Sequence, residues 1–474
     1  MVGPGNDLRR NSPPLARHYN PPVRTEDLRL LLKLETTWTV SLNGLDFFAL
    51  PSSDITLNDS SIQIGRYSRT ILDLQWLRPN VARIRARAKF RSHADVITLY
   101  PGDRLPSAAD LRRRRRAFQM QIGQALCAYF GLRRTERQML HSDRRHGISG
   151  TYPRFLAGLH AVIAVDPDES SAVINGIMRA ALLWASLVRR KVAVVVPQGR
   201  RSTISARLRL MPSLRETFLW LQWDGQALTP LAGSDEPETH VQEFSPPAVD
   251  TDVTRLLGMA PGLLQAVPHI AGKAVSIRLR GIEVARLSEE GTTYPLGEPI
   301  ERVIQELDQA RRYGSRHPLA RAHEERWLES NLIAEIHQVL PSVDVRHIYP
   351  QVPSFGGDER NIIDLLTMTT AGRLVVIEIK ASADPDLPFQ ALDYWIAVER
   401  HRKAGDFLKK GYFEGCLLKD EPAVLVLVAP LLEYHKTLGR MIEILPRQVP
   451  LMEIGINQSW KRQIKILRRR GMVS

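Results

Sequence analysis

The sequence predicts a multidomain α/β protein: an N-terminal β-rich domain, a central α/β unit and a C-terminal α/β domain. Three observations lead there. The 474 residues exceed what one hydrophobic core organises, and roughly two to four domains is the ordinary outcome. Residues 24–100 alternate apolar and polar side chains between turn signals, the period of half-buried strands. Beyond them, short apolar runs alternate with stretches of helical periodicity, the pattern of strand–helix–strand units.

Taken in order, "MVGPGNDLRRNSPPLARHYNPP" has no apolar core, so residues 1–23 read as a disordered Pro/Arg tail rather than a secretory signal. Residues 24–104 form the β-rich domain, through "TWTVSLNGLDFFAL", "SSIQIGRY", "VARIRARAKF" and "DVITLYPGD". In "RIRARAKFR" the arginines fall on alternate positions, which makes one face of that strand basic. Residues 105–231 form the α/β domain. It opens with a helix over 107–140, Ser107 as its N-cap and "FQMQIGQALCAYFGL" as its apolar stripe. "HAVIAVDPD", "KVAVVVPQ" and "FLWLQWDG" read as strands, with "SAVINGIMRAALLWASLV" as the amphipathic helix between the first two. Residues 232–252, acidic and Pro-containing, read as a linker. Residues 253–315 supply a small β stretch and a connecting helix, "PIERVIQELDQARRYG", and residues 316–474 the last domain. "AVIAVDPD" and "KVAVVVP" parallel "LVVIEIKAS" and "AVLVLVAP", so the central unit reads as a degenerate copy of the last domain or as a chance likeness. As a copy it has lost the charged motif, since Ala164 to Asp166 contain no Glu-x-Lys.

Composition narrows the function classes. No uncharged apolar run reaches about 18 residues, so no membrane span is expected. Two cysteines, Cys127 and Cys416, exclude a disulfide framework and a cysteine-based zinc site, and fit a cytoplasmic protein. A net charge of +14 favours polyanionic partners, because Lys and Arg that neutralise phosphates release counterions. The charge is clustered: Arg112, Arg113, Arg114, Arg115 and Arg116 are consecutive, "RRTERQMLHSDRRH" follows, Arg200 and Arg201 open "RRSTISARLRL", and "KRQIKILRRR" lies near the C-terminus. Nucleic acid is the expected partner, DNA favoured over RNA.

The most informative stretch is "NIIDLLTMTTAGRLVVIEIKAS", which places Asp364, Glu378 and Lys380 in otherwise apolar strands. Charged groups are rarely buried unless paired or used. With Thr370, Ala371 and Gly372 as a three-residue hairpin loop, Thr369 pairs with Arg373. Asp364 then stands opposite Glu378, Cβ atoms about 5 Å apart. Lys380, two residues on, shares that face. Two carboxylates so close need a cation or a shared proton. Carboxylate oxygens are the ligands that Mg²⁺ or Mn²⁺ selects, usually with waters and substrate phosphate completing the shell. Such a site activates water for hydrolysis, with Lys380 orienting or deprotonating the water or offsetting charge on phosphate.

An acidic residue, a hairpin and then E-x-K resembles the core of the PD-(D/E)xK nuclease superfamily. That family also has a helix before the hairpin, here "ARAHEERWLESNLIAEIHQVL" with Glu325 and Glu329, and often Q-x-x-x-Y after it, here Gln390 and Tyr394 in "DLPFQALDYWIAVERH". The layout is similar to mismatch-type endonucleases and RecB-like nucleases over residues 318–430. The resemblance implies a restriction-endonuclease-like αβββαβ core in the last domain. It implies metal ligation by Asp364, Glu378 and Glu325 or Glu329, a water-directed Lys380, Gln390 positioning the lysine or DNA, and Tyr394 behind it. "NIID" lacks the proline of the family name, at a position that varies across the superfamily. A magnesium- or manganese-dependent deoxyribonuclease is therefore expected, its basic N-terminal modules gripping the phosphate backbone. The alternative is a catalytically silent nucleic-acid-binding protein of a repair, defence or mobile-element complex. A nucleotide-binding role for residues 150–225 has no glycine-rich phosphate loop behind it.

Other residues have plainer readings. Trp327, Leu328, Leu332 and Trp395 are expected in the core. His323, His337 and His347 share no metal spacing. His141, Asp143 and His146 sit in a basic loop, and Asp166 and Asp168 in a turn before a helix. Asp384 and Asp386 are expected to cap the helix that follows them.

Overall fold

The computed structural model describes residues 25–471 except 35–36, 43–45, 66, 79–80, 88–94, 103–107, 139–151, 168, 170, 232–240, 245–250, 270–273, 298 and 355–360. The N-terminal tail, His141, Asp143, His146, Asp168 and most of the linker lie outside the described residues. The chain forms two compact units, residues 1–105 with 310–322, and residues 106–309 with 323–474. No helix among the described residues is long and apolar enough to cross a membrane.

In the first unit a helix, Thr25–Leu34, precedes seven strands. They are β1 (Thr37–Leu42), β2 (Asp46–Pro51), β3 (Ile55–Leu57), β4 (Ser61–Ile64), β5 (Tyr67–Arg78), β6 (Val81–Arg87) and β7 (Asp95–Pro101). The sheet runs β2-β1-β7-β6-β5-β4-β3, antiparallel throughout. The helix was not foreseen; it buries Leu28, Leu30, Leu31 and Leu32. β6 alternates as expected, with Ala82, Ile84 and Ala86 buried and Arg83, Arg85 and Arg87 exposed.

The second unit begins with the helix Ala108–Phe130. It is shorter than the expected 107–140. Gly131 adopts φ 63°, the left-handed conformation that ends helices, and β8 (Glu136–Gln138) follows. Next come β9 (Arg154–Ala157), β10 (His160–Ala164), β11 (Lys191–Pro197), β12 (Leu219–Trp223) and β13 (Leu228–Pro230). The expected single helix after β10 is two, Ser171–Asn175 and Ile177–Ala185, broken at Gly176. Helices Ser202–Leu210 and Pro212–Thr217 link β11 to β12. A four-stranded sheet follows the helix Thr251–Met259: β14 (Leu264–His269), β15 (Ala274–Leu279), β16 (Ile282–Ser288) and β17 (Gly291–Thr293).

The last segment starts with helices Glu324–Ala334 and Ile336–Val339. It continues with β18 (Tyr349–Ser354), β19 (Asn361–Met368), β20 (Leu374–Ile379), the helix Leu387–Ala404, β21 (Val424–Pro430), the helix Leu438–Ile442, β22 (Leu451–Ile456) and β23 (Ile466–Gly471).

The sheets β8–β13 and β18–β23 share one plan. Both run in chain order: two antiparallel pairings, two parallel ones, and an antiparallel edge. The middle strands end in Pro197 and Pro430 and pair alike, Val194 with Ile163 and Leu427 with Glu378. The Val165 amide donates to the Val195 carbonyl as the Lys380 amide donates to that of Val428. This register corrects the alignment read from sequence. Ile163 and Val165, not Ala164 and Asp166, occupy the places of Glu378 and Lys380. Arg154, opposite Ile163, takes that of Asp364.

Two helical layers lie between these sheets in one continuous core. Ile163, Val194, Ile177, Trp184, Val376, Leu392 and Leu425 all belong to it. The helix Ala108–Phe130 covers the outer face of one sheet, and Glu324–Val339 that of the other. Alternating positions serve the two faces of each buried strand, which is why these strands read as unbroken apolar runs.

Candidate active site

The hairpin turn sets the site's register. The Thr369 amide donates to the Arg373 carbonyl at 2.7 Å, and Gly372 takes φ 86°. The ladder ends at Leu365 paired with Ile377, and Asp364 and Glu378 are the next residue of each strand beyond it. The Asp364 carboxylate accepts from the Ile379 amide at 2.7 Å, which ties it to the neighbouring strand end.

Glu378 is buried, and Lys380 Nζ lies 3.1 Å from its Oε1. The Glu378 Oε2 atom is buried without a hydrogen-bond partner. The helix Glu324–Ala334 brings Glu325 Oε2 to 3.9 Å from Lys380 Nζ. Three acids and one amine are thus gathered by a hairpin and the start of one helix.

Their electrostatics follow from burial. Desolvation raises the Asp364 carboxyl well above its ordinary range, and Glu378 beside it adds to the effect. Desolvation pushes Glu378 up to about 7, against the pull of Lys380. Burial would lower Lys380, but Glu378, Glu325 and Asp364 more than reverse it, so the amine stays charged. Glu325 is raised by burial, with Lys380 opposing. On the next helix Tyr394 is raised by burial and by the Glu378 charge, and Gln390 Nε2 donates to its hydroxyl at 2.9 Å.

Glu329 has a different setting. Buried Arg278 from β15 donates to Oε1 at 3.0 Å, and Gln351 Nε2 bonds Oε2. Both oxygens are engaged, so Glu325 is the helix glutamate that faces Lys380. Gly281 seats this small sheet on the helix, because a Cβ there would meet the Arg326 carbonyl carbon at 2.4 Å. Sequence reasoning missed Arg278 and Gln351. The available signal was a charged residue inside a strand, β15, that is buried at every position.

Other expected residues fall elsewhere. Asp386 stands at the N-cap of Leu387–Ala404 but makes no side-chain cap; its carboxylate holds Arg179 at 2.6 Å, while Asp384 accepts from the Asp386 amide. This corrects the expected helix cap. Trp395 is core, its indole donating to the Ala423 carbonyl. Arg112 to Arg116 lie on the helix Ala108–Phe130. Arg115 pairs with Glu169 at 3.2 Å, Arg116 is exposed, and the side chains of Arg112, Arg113 and Arg114 lie outside the described residues. Arg200 begins no described side-chain contact, its side chain lying outside the described residues, whereas Arg201 donates to Gln222.

The donor set is all oxygen, suited to a hard divalent cation held by Asp364 and Glu378, with Glu325 at its edge. Among the described residues, the group of three ligand atoms lying within 4.8 Å of one another is a different one, Asp344, His347 and Cys416. No family model matches the chain. No curated protein matches it. Among solved structures, the crystal structure of protein VC1899 from Vibrio cholerae is similar at 16% identity, over 60% of this chain and 77% of that one, with a TM-score of 0.18, a likeness too slight to carry an argument.

Proposed function

We propose that the chain is a magnesium- or manganese-dependent nuclease that hydrolyses phosphodiester bonds, in DNA before RNA, with its catalytic centre at Asp364, Glu378 and Lys380. The observation that carries this reading is the meeting of half-buried Asp364 with buried Glu378 beside a charged Lys380, with Glu378 Oε2 left unpartnered. The order helix, three antiparallel strands, helix and parallel strand over 324–430 supports it, as does Gln390 bonded to Tyr394.

A buried carboxylate oxygen with no partner is costly unless a cation or proton meets it, so the residues fit a divalent ion. When bound, the ion would polarise the phosphate and lower the pKa of a water. Lys380, held charged by its acids, orients the attacking water and offsets charge on the phosphate rather than acting as a base. Tyr394, bonded by Gln390, lies close enough to Glu378 to feel its charge. The exposed Arg83, Arg85, Arg87 and Arg116 offer counter-charges for a polyanion.

The test is purified protein against supercoiled plasmid, single-stranded and branched DNA, and RNA, with and without manganese, beside Lys380→Ala. Manganese-dependent cleavage is expected, reduced about 10²–10⁴-fold in the variant. Equal behaviour of the two proteins on every substrate would remove the catalytic reading and leave a binding platform.

A further inference from the structure

Asp344, His347 and Cys416 converge where three segments meet: the turn after Ile336–Val339, the approach to β18, and the loop before β21. One ligand atom from each lies within 4.8 Å of the other two. Cys416 Sγ is 3.1 Å from His347 Nε2. The other ring nitrogen, Nδ1, lies 3.4 Å from the Tyr349 hydroxyl. That hydroxyl accepts from the Phe413 amide at 2.7 Å and sits among Phe244, Tyr412 and Phe413.

We propose that Asp344, His347 and Cys416 form a second metal site, selective for a thiophilic ion such as zinc and separate from the carboxylate pocket. The geometry favours a metal over a hydrolytic triad. In a triad the acid holds the imidazole nitrogen that faces away from the sulfur. Here the Tyr349 hydroxyl lies beside that nitrogen, and a carboxylate oxygen of Asp344 lies within 4.8 Å of the sulfur and of an imidazole nitrogen. A metal-ligating histidine ordinarily fixes its far nitrogen in this way. Thiolate, imidazole and carboxylate are the zinc donors, at about 2.3, 2.0 and 2.1 Å. A tetrahedral ion would set sulfur and nitrogen about 3.5 Å apart, a small opening from the present separation. Arg346 grips the Asp344 carboxylate: its backbone amide and Nε donate to Oδ1, each at 3.0 Å, and its Nη2 to Oδ2 at 2.6 Å. Oδ1 thus accepts twice and Oδ2 once, which leaves Oδ2 a lone pair for one more bond. Binding exchanges the thiol proton, released to solvent, for the metal–sulfur bond.

The site has a structural use. The loop carrying Cys416 also covers the hairpin turn, where Lys419 donates to the Gly372 carbonyl at 2.9 Å. A metal there would clip this loop to the entry of β18 and seat the turn whose strands carry Asp364 and Glu378. The inference does not depend on the nuclease reading.

Full-length protein, stripped with a mild chelator and shown folded by circular dichroism, would be titrated with cobalt and then zinc. Saturation at about one ion per chain, with a thiolate-to-cobalt charge-transfer band that zinc displaces, is expected. Cys416→Ser and His347→Gln should abolish the band. Cys127→Ser and Asp364→Asn should keep it, and Tyr349→Phe should weaken binding about 10-fold. Absence of the band in folded wild-type protein, or its persistence in Cys416→Ser, would overturn the proposal.

Discussion

Glu378 shows how much one buried oxygen can decide. Its carboxyl sits at about 7 instead of 4.5 because burial penalises the charge more than Lys380 rewards it. The folded, metal-free chain therefore binds this proton more tightly than the unfolded chain does. The resulting stability is fully present below about pH 4.5 and is lost as pH rises through about 7. Unfolding in urea with a chelator present should show a chain less stable at about pH 8 than at about pH 5, and Glu378→Gln should reduce that dependence, with Asp364 and Glu325, also raised, supplying the rest. A variant as pH-sensitive as the wild type would show that this carboxyl is not the titrating group. Cys416 makes the complementary point. Counting cysteines alone excluded a thiolate site, yet one cysteine meets a histidine and an aspartate from distant segments. The sequence reading gave His347 no metal spacing and passed over Asp344, three positions before it.

At the scale of elements, two contacts hold the hairpin that carries Asp364 and Glu378 and the helix that follows it. Gly372 adopts φ 86°, and a Cβ there would meet the Leu417 carbonyl oxygen at 2.3 Å. Gly372→Ala is expected to destabilise the chain by about 1–3 kcal/mol and to reduce cleavage with it; an unchanged urea midpoint would contradict this close approach. The helix Leu387–Ala404 is pinned from the central unit by Arg207. Its guanidinium donates to both Asp393 oxygens, at 2.7 and 2.6 Å, and lies 5.3 Å from the Phe389 ring. Removing one partner of a buried pair strands the other charge, so Arg207→Ala should cost about 3–5 kcal/mol. Calorimetry showing a loss below about 1 kcal/mol would place this pair with weak surface bridges. Arg207 belongs in sequence to the basic cluster "RRSTISARLRL", and Arg179, from the preceding helix, holds Asp386 at the start of the same pinned helix. The fold uses them as ties between two sheets of one plan.

For the whole molecule, the charge of +14 is only partly available to a ligand. Arg115, Arg468 and Lys461 are held by acids, and Arg469 by the Val339 carbonyl. Arg83, Arg85 and Arg87 remain on one exposed strand face. For the proposed DNA partner, affinity is expected to fall at least about 10-fold between about 50 mM and about 200 mM salt, and the slope to shrink when these three become glutamine. A salt-independent affinity would remove phosphate neutralisation as the basis of binding.

Local chemistry was legible in the chain itself. Alternation marked the basic face of β6, unbroken apolar runs marked the buried parallel strands, and Thr-Thr-Ala-Gly placed the hairpin turn. From that turn, the period of two put Asp364 opposite Glu378 and Lys380 on their face, because these relations span fewer than about 20 residues of regular backbone. The tertiary structure decided what lies far apart in sequence. It chose Glu325 over Glu329 to face Lys380, because Arg278 from a separate sheet occupies Glu329. It showed that β8–β13 and β18–β23 follow one plan, and shifted their alignment by one residue. It also drew Asp344, His347 and Cys416 together. Pairings of this kind depend on how sheets pack, which no local pattern encodes.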